Sequence, residues 1–196
     1  MTLAAVTTGL YAINLALLLA FHGLNRNYSP VRHAVSDYAV GKTAALFRIY
    51  GGIGAIAALA LAWLFHASEA PAFPSRVAIY VAAMAVARVG AIAFPTDLEG
   101  KAATAHGRLH YLFAIATFAL VYMTIDVVTP ILSADPRAPA LHALWPVLRW
   151  IAAIALAGVV LTMFRPGRAI FGLVERAFLF STAIWFLLAA VWFALG

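Results

Sequence analysis

Apolar residues run through this chain in six blocks, and polar residues collect at alternate junctions between them. The blocks cover roughly 4–22, 43–66, 76–94, 108–129, 141–163 and 170–195, each close to the ~20 residues that a helix needs to cross a hydrocarbon core. Most lack the polar face, recurring every 3.6 residues, of a helix on a soluble core. The apolar/polar alternation of a membrane β-strand is also absent. The pattern predicts an all-α integral membrane bundle of six transmembrane helices, a single domain over residues 1–196, folded as three antiparallel hairpins. Pro71 and Pro74 punctuate the second connection, Pro130, Pro136 and Pro139 the fourth, and Pro166-Gly167 the fifth. Pro95 ends the third helix, because proline cannot continue the backbone ladder. Gly51, Gly52, Gly54, Ala55, Ala57 and Ala58 give the second helix small residues that admit close backbone neighbours.

The polar junctions carry the candidate chemistry. His33, Ser36 and Asp37 follow the first block, Thr96 and Asp97 follow the third, His106 and His110 open the fourth, and Glu175-Arg176 opens the sixth. Odd-numbered connections lie on one side of a membrane, so these groups share one face. Ionisable groups at membrane depth are costly, and a convergent set of them marks a functional site.

Composition narrows the picture further. The chain is 65% hydrophobic and 10% charged, which excludes a soluble domain of this length. With no cysteine, disulfides, thiolate metal sites and cysteine nucleophiles are excluded. The first block has neither a basic leader nor a small-residue cleavage site, so it reads as a retained helix. The net charge of +6 is not a nucleic-acid footprint. Arg26, Arg32, Lys42, Arg48, Lys101, Arg108, Arg165, Arg168 and Arg176 flank the odd connections, against Arg76, Arg137 and Arg149 at the even ones. The positive-inside rule then predicts a multi-pass protein of the cell (inner) membrane, with loops 1, 3 and 5 cytoplasmic and both termini outside. A faint threefold repeat accompanies this bias: Gly41-Lys42 leads to Arg48, Gly100-Lys101 to Arg108, and Gly167-Arg168 to Arg176. It reads either as three related hairpins or as the basic flanks of membrane helices.

Two constellations suggest chemistry. His106 and His110 are four apart on one helical face, the spacing of a two-histidine metal clamp. With His33 or a carboxylate as third ligand they would hold zinc. Asp37 or Asp97 would then act as base, and Ser36 would orient water or an oxyanion. The alternative is interfacial histidines hydrogen-bonded to Ser36, Asp37 or Asp97. The second constellation is cationic. Arg48, Arg88, Arg108 and Arg176, beside helix N-termini, suit a phosphate or carboxylate headgroup. The alternative pairs Arg176 with Glu175 and leaves the other arginines to Asp37, Asp97 or the interface. Asp126 and Arg149 are expected to pair near the outer ends of helices 4 and 5. Trp63, Trp145, Trp150, Trp185 and Trp192 read as an interfacial belt.

At Ser36-Asp37, at Phe94-Pro95-Thr96-Asp97, around His106, and at Gly172-Leu173-Val174-Glu175-Arg176 with Trp185, the chain resembles the DUF998 family of small prokaryotic membrane proteins. The resemblance covers most of the chain. It implies the six-helix layout and the site residues, and implies no reaction. By analogy only, His33, Ser36, Asp37, His106 and His110 are similar to the three-histidine, serine and aspartate zinc inventory of the alkaline ceramidase and adiponectin receptor hydrolases. Those proteins differ in helix number and motif order. Together these readings lead to a site that binds the polar head of a lipid-like substrate, in its sharpest form a zinc hydrolase. The alternatives are a transporter or flippase for an anionic lipid, and a non-catalytic membrane subunit or histidine-based sensor. Membrane lipids are the expected partners, and nucleic acid is not one.

Overall fold

The computed structural model describes residues 2–24, 28–97, 102, 104–164 and 167–195. Six helices account for most of them: α1 (Leu3–Leu24), α2 (Ala44–Ala67), α3 (Ser75–Ala93), α4 (Ala105–Ala134), α5 (Leu144–Thr162) and α6 (Phe171–Ala194). All six are long and apolar enough to span a membrane, and no strand occurs among the described residues. This is the polytopic all-α bundle that the block pattern predicts.

Chain order is also the order around the bundle. Each helix packs against its sequence neighbours, and α1 closes the ring on α6. The described residues that follow α1, α3 and α5, 28–43, 94–97, 163–164 and 167–170, lie at one end, called here the site end. The connections 68–74 and 135–143 lie at the other end together with the helical ends near both termini.

The two ends are filled differently. Away from the site, Leu61, Phe65, Ile125, Val128, Trp145, Trp185 and Trp192 form a continuous buried core. Trp145, Trp185 and Trp192 are therefore interior residues, and only Trp63 and Trp150 keep the exposure expected of a belt. The Trp185 indole N–H donates to the Thr129 hydroxyl at 3.1 Å, and the Arg137 guanidinium lies 3.7 Å from the centre of the Trp192 ring. The first contact satisfies the polar edge of Trp185, and the second sets a cation against the electron-rich face of Trp192. Arg149 donates to Asp126 at 2.7–2.9 Å, joining α4 to α5 near this end as expected.

Helix α4 departs most from its predicted bounds. It runs through Pro130 to Ala134, where proline was expected to open the connection. Pro130 lies just before the last turn, so the hydrogen bond it forfeits is near the helix end, and membrane helices tolerate such breaks when neighbours cover them. Helix α4 also begins earlier, because Thr104 caps it: its hydroxyl accepts the Gly107 N–H at 3.0 Å.

Residues 28–43, expected as a plain loop, are folded. Val35–Ala39 and Gly41–Thr43 form 3-10 turns, and Tyr38 is fully buried against Phe21, with ring centroids 5.1 Å apart. Leu18, Val35, Phe47 and Tyr50 complete this small second core. The first and third copies of the faint repeat open on Gly41 and Gly167, while Gly100-Lys101 of the second lies outside the described residues. The three arginines diverge, with Arg48 and Arg108 exposed and Arg176 buried.

Candidate functional site

A cavity of about 370 Å³ opens at the site end, a size that suits a small ligand or the head of a larger one. Helices α2 to α6 wall it, and the folded segment 32–37 covers its α1 side. Arg32 and Arg168 are exposed at its mouth, Asp37, His110 and Glu175 are buried in its lining, and Ser36, Arg88 and Asp97 are partly buried between them. Phe118, Val159 and Leu179 make the inner wall apolar.

The segment that supplies the mouth is held by the start of α6. Leu173 donates its backbone N–H to the Val31 carbonyl at 3.0 Å, using a donor that a helix N-terminus leaves without an internal partner. Arg176 reaches back with Nη1 to the carbonyls of Pro30 (2.9 Å), His33 (2.7 Å) and Gly172 (2.9 Å). Its Nε–H donates to His22 Nε2 at 2.7 Å, and the other ring nitrogen of His22 lies 3.0 Å from the Leu18 carbonyl. Glu175 accepts the Val35 N–H at 2.6 Å. Gly172 is required here, since a Cβ would run into the His33 carbonyl. The Gly172–Arg176 motif is thus a clamp on backbone.

This reassigns Arg176, expected as a headgroup clamp. It does not line the cavity, and it does not pair with Glu175. Arg48 and Arg108 also fail to reach the cavity and are exposed. Position along the helices suggested that these arginines converge, but the rotation of each helix turns them away.

Asp97 is bound to the cap of α4. It accepts the Thr104 N–H at 2.7 Å and the Thr104 hydroxyl at 2.9 Å. These two donors, with smaller help from Arg108 and His106, hold its carboxyl below the usual carboxylate range. Asp97 and Glu175 therefore face the cavity with backbone donors already in hand. Asp37 and Arg168 likewise have partners.

Arg88 is different. It projects from α3 about 8 Å from the helix end, at 1.5 Å per residue, and lines the cavity. Its guanidinium lies 5.9 Å from the centre of the Tyr50 ring, and among the described residues it forms no ion pair. Gly54 makes room for it, because a Cβ there would overlap the Arg88 guanidinium. Arg88 also borders a second cavity of about 20 Å³, shared with Tyr11, Asn14 and Thr182, enough for about one water.

The histidines are not gathered for a metal. His106 is exposed and set edge-on to the Phe94 ring. His33 lies outside the cavity, its Nδ1 accepting the Ser29 N–H at 2.9 Å. His110 is buried, with Nδ1 2.9 Å from both the Ala91 and Phe94 carbonyls. Two carbonyl acceptors assign the proton to Nδ1 and leave Nε2 as the basic nitrogen. Among the described residues no three His, Asp or Glu side chains form a group that could hold a metal. The zinc set His33, His106 and His110 therefore does not fit this arrangement.

Sequence reasoning did not single out Arg32, Arg168 or Tyr50 as cavity residues. The two arginines carry a signal that topology absorbed, since both count among the basic flanks. The model of a family described as "Protein of unknown function (DUF998)" matches residues 5–192. No curated protein and no solved structure matches the chain.

Proposed function

The chain belongs to the DUF998 family, and we propose that it is a membrane-embedded binding protein for an anionic, lipid-like molecule whose head occupies the cavity from the cytoplasmic side. One observation carries this reading: Arg88, a cation inside a membrane helix, faces the cavity with no ion-pair partner among the described residues. An uncompensated charge at that depth is expensive and marks a ligand or ion pathway. The neighbouring carboxylates Asp97 and Glu175 each accept a backbone N–H, whereas the donors of Arg88 have no ion-pair partner among the described residues and are left to meet an anionic head. Arg32, exposed at the mouth, adds a second cation to the approach. A guanidinium suits a phosphate or carboxylate by its forked geometry.

Purified protein in phosphatidylcholine nanodiscs is titrated with phosphatidic acid. Wild type is expected to bind it, Arg88→Ala to lose most of that binding, and Arg88→Lys to recover only part, with unchanged melting temperatures. Equal binding by wild type and Arg88→Ala would sink the reading.

His110 favours a second reading, in which the bound molecule is also hydrolysed. With Nδ1–H fixed on two carbonyls, Nε2 is oriented to accept a proton from water attacking an ester of the ligand. His110→Gln, folded and still binding, is expected to abolish release of the head or chain seen by mass spectrometry. Absence of any product with wild type rejects hydrolysis and leaves binding or transport.

A further inference from the structure

The proposed head site has an apolar exit through the side of the bundle. Besides Arg32 and Arg168 at the mouth, three residues lining the cavity are open to the outside: Tyr111 (43% exposed), Ile115 (55%) and Met163 (41%). Tyr111 and Ile115 belong to α4, and Met163 follows the last residue of α5. All three therefore lie along one seam. Ile115 is ten residues into α4, about 15 Å from the helix start at 1.5 Å per residue. That depth is deeper than Arg88 and within the hydrocarbon layer.

The seam is the weak one of the ring by construction. At the site end, chain connections tie α1 to α2, α3 to α4, and α5 to α6, and the α6 clamp on Pro30, Val31, His33 and Val35 closes α6 against the α1 side. Helices α2 and α3 have no connection there but pack closely, with Ile92 and Arg88 set against Gly51 and Gly54. Helices α4 and α5 have neither device. They are joined at the opposite end, by residues 135–143 and by the Asp126–Arg149 pair, and they are the least closely packed neighbours in the ring.

We infer that the α4–α5 seam is a lateral portal, through which the hydrocarbon chain of the amphiphile passes into the bilayer while its anionic head sits at Arg88. The inference rests on the proposed head site and adds the class of ligand: a molecule with a long apolar tail, as distinct from a free phosphate or carboxylate. A hydrocarbon tail crossing the seam replaces bilayer lipid against Ile115 and Met163 at little cost, since both surroundings are apolar.

The test places a benzophenone photocrosslinking residue at Ile115 and, as a control, at Val86, which is 67% exposed on α3 away from the cavity. Tail-labelled phosphatidic acid in phosphatidylcholine nanodiscs is the probe, and its binding is measured in parallel. Several-fold more labelling at 115 than at 86, reduced to the control level by Arg88→Ala, is the expected result. Equal labelling at both positions, with Arg88-dependent binding intact, overturns the portal and leaves the head site standing. Glycerol 3-phosphate binding as tightly as phosphatidic acid also overturns it, since the tail would then contribute nothing. Loss of Arg88-dependent binding altogether overturns both.

Discussion

Glycine 172 has a backbone carbonyl and a guanidinium where a side chain would be. Gly172→Ala therefore forces the clamp apart, and overpacking of this kind costs about 1–3 kcal/mol. Gly9→Ala, where a Cβ meets nothing within 4 Å, is expected to stabilise by roughly 0.5–1 kcal/mol through helix propensity. Thermal denaturation in detergent should give the two substitutions opposite signs. Glu175 makes a second residue-scale case. Glu175→Gln keeps an acceptor for the Val35 N–H, whereas Glu175→Ala strands a buried donor at a cost of about 1–3 kcal/mol. Faster hydrogen exchange at Val35 in the alanine variant alone is the expected result. Asp97 sets a pH dependence. Its folded pKa is depressed, so its contribution is complete above the unfolded value of about 3.9. It is lost as pH falls through the lower folded value. Acidification below about pH 4 should speed exchange at Thr104 and Gly107 in wild type, and Asp97→Asn should flatten that response.

The elements show what was legible in the sequence. Helix number and order follow from apolar blocks of membrane length, because the bilayer imposes that length regardless of detail. Helix rotation does not follow, because blocks without a polar face carry no periodic signal to orient them. Hence Arg88, His110, Asp97, Ser36, Asp37 and Glu175 line the cavity, while Arg48, Arg108, Arg176, His33 and His106 do not. The folding of residues 35–39 was equally hidden, since its determinants, Glu175 and Arg176, lie about 140 residues away. Small residues on α2 were legible as packing, yet one has a more particular use. Gly54 accommodates the Arg88 guanidinium, so Gly54→Ala should displace that cation. Phosphatidic acid binding is expected to fall towards the level of Arg88→Ala with little change in melting temperature. Unaltered affinity would show that Arg88 adopts its binding position by another route.

The whole molecule is a ring with one packed end and one hollow end. Among the described residues, aromatic and branched side chains fill most of the interior beyond Phe118 and Leu179, leaving a void of about 20 Å³ beside Tyr11 and Asn14. Water-soluble thiol reagents are expected to modify a cysteine at Thr117, which lines the cavity, from the site end only. They should not reach one at Val128, which is fully buried. Labelling of Thr117→Cys from both sides of sealed vesicles would reveal a second conformation and favour transport over simple binding.

The clamp at the start of α6 also bears on biogenesis. The carbonyls of Pro30, Val31 and His33 and the N–H of Val35 find their partners on a helix made about 140 residues later. During synthesis those groups have only water or one another. The mouth of the cavity therefore takes shape after α6 has inserted, when the first and last hairpins meet. A nascent chain that stalls before α6 carries the deep arginine but lacks the clamp that shapes the mouth around it.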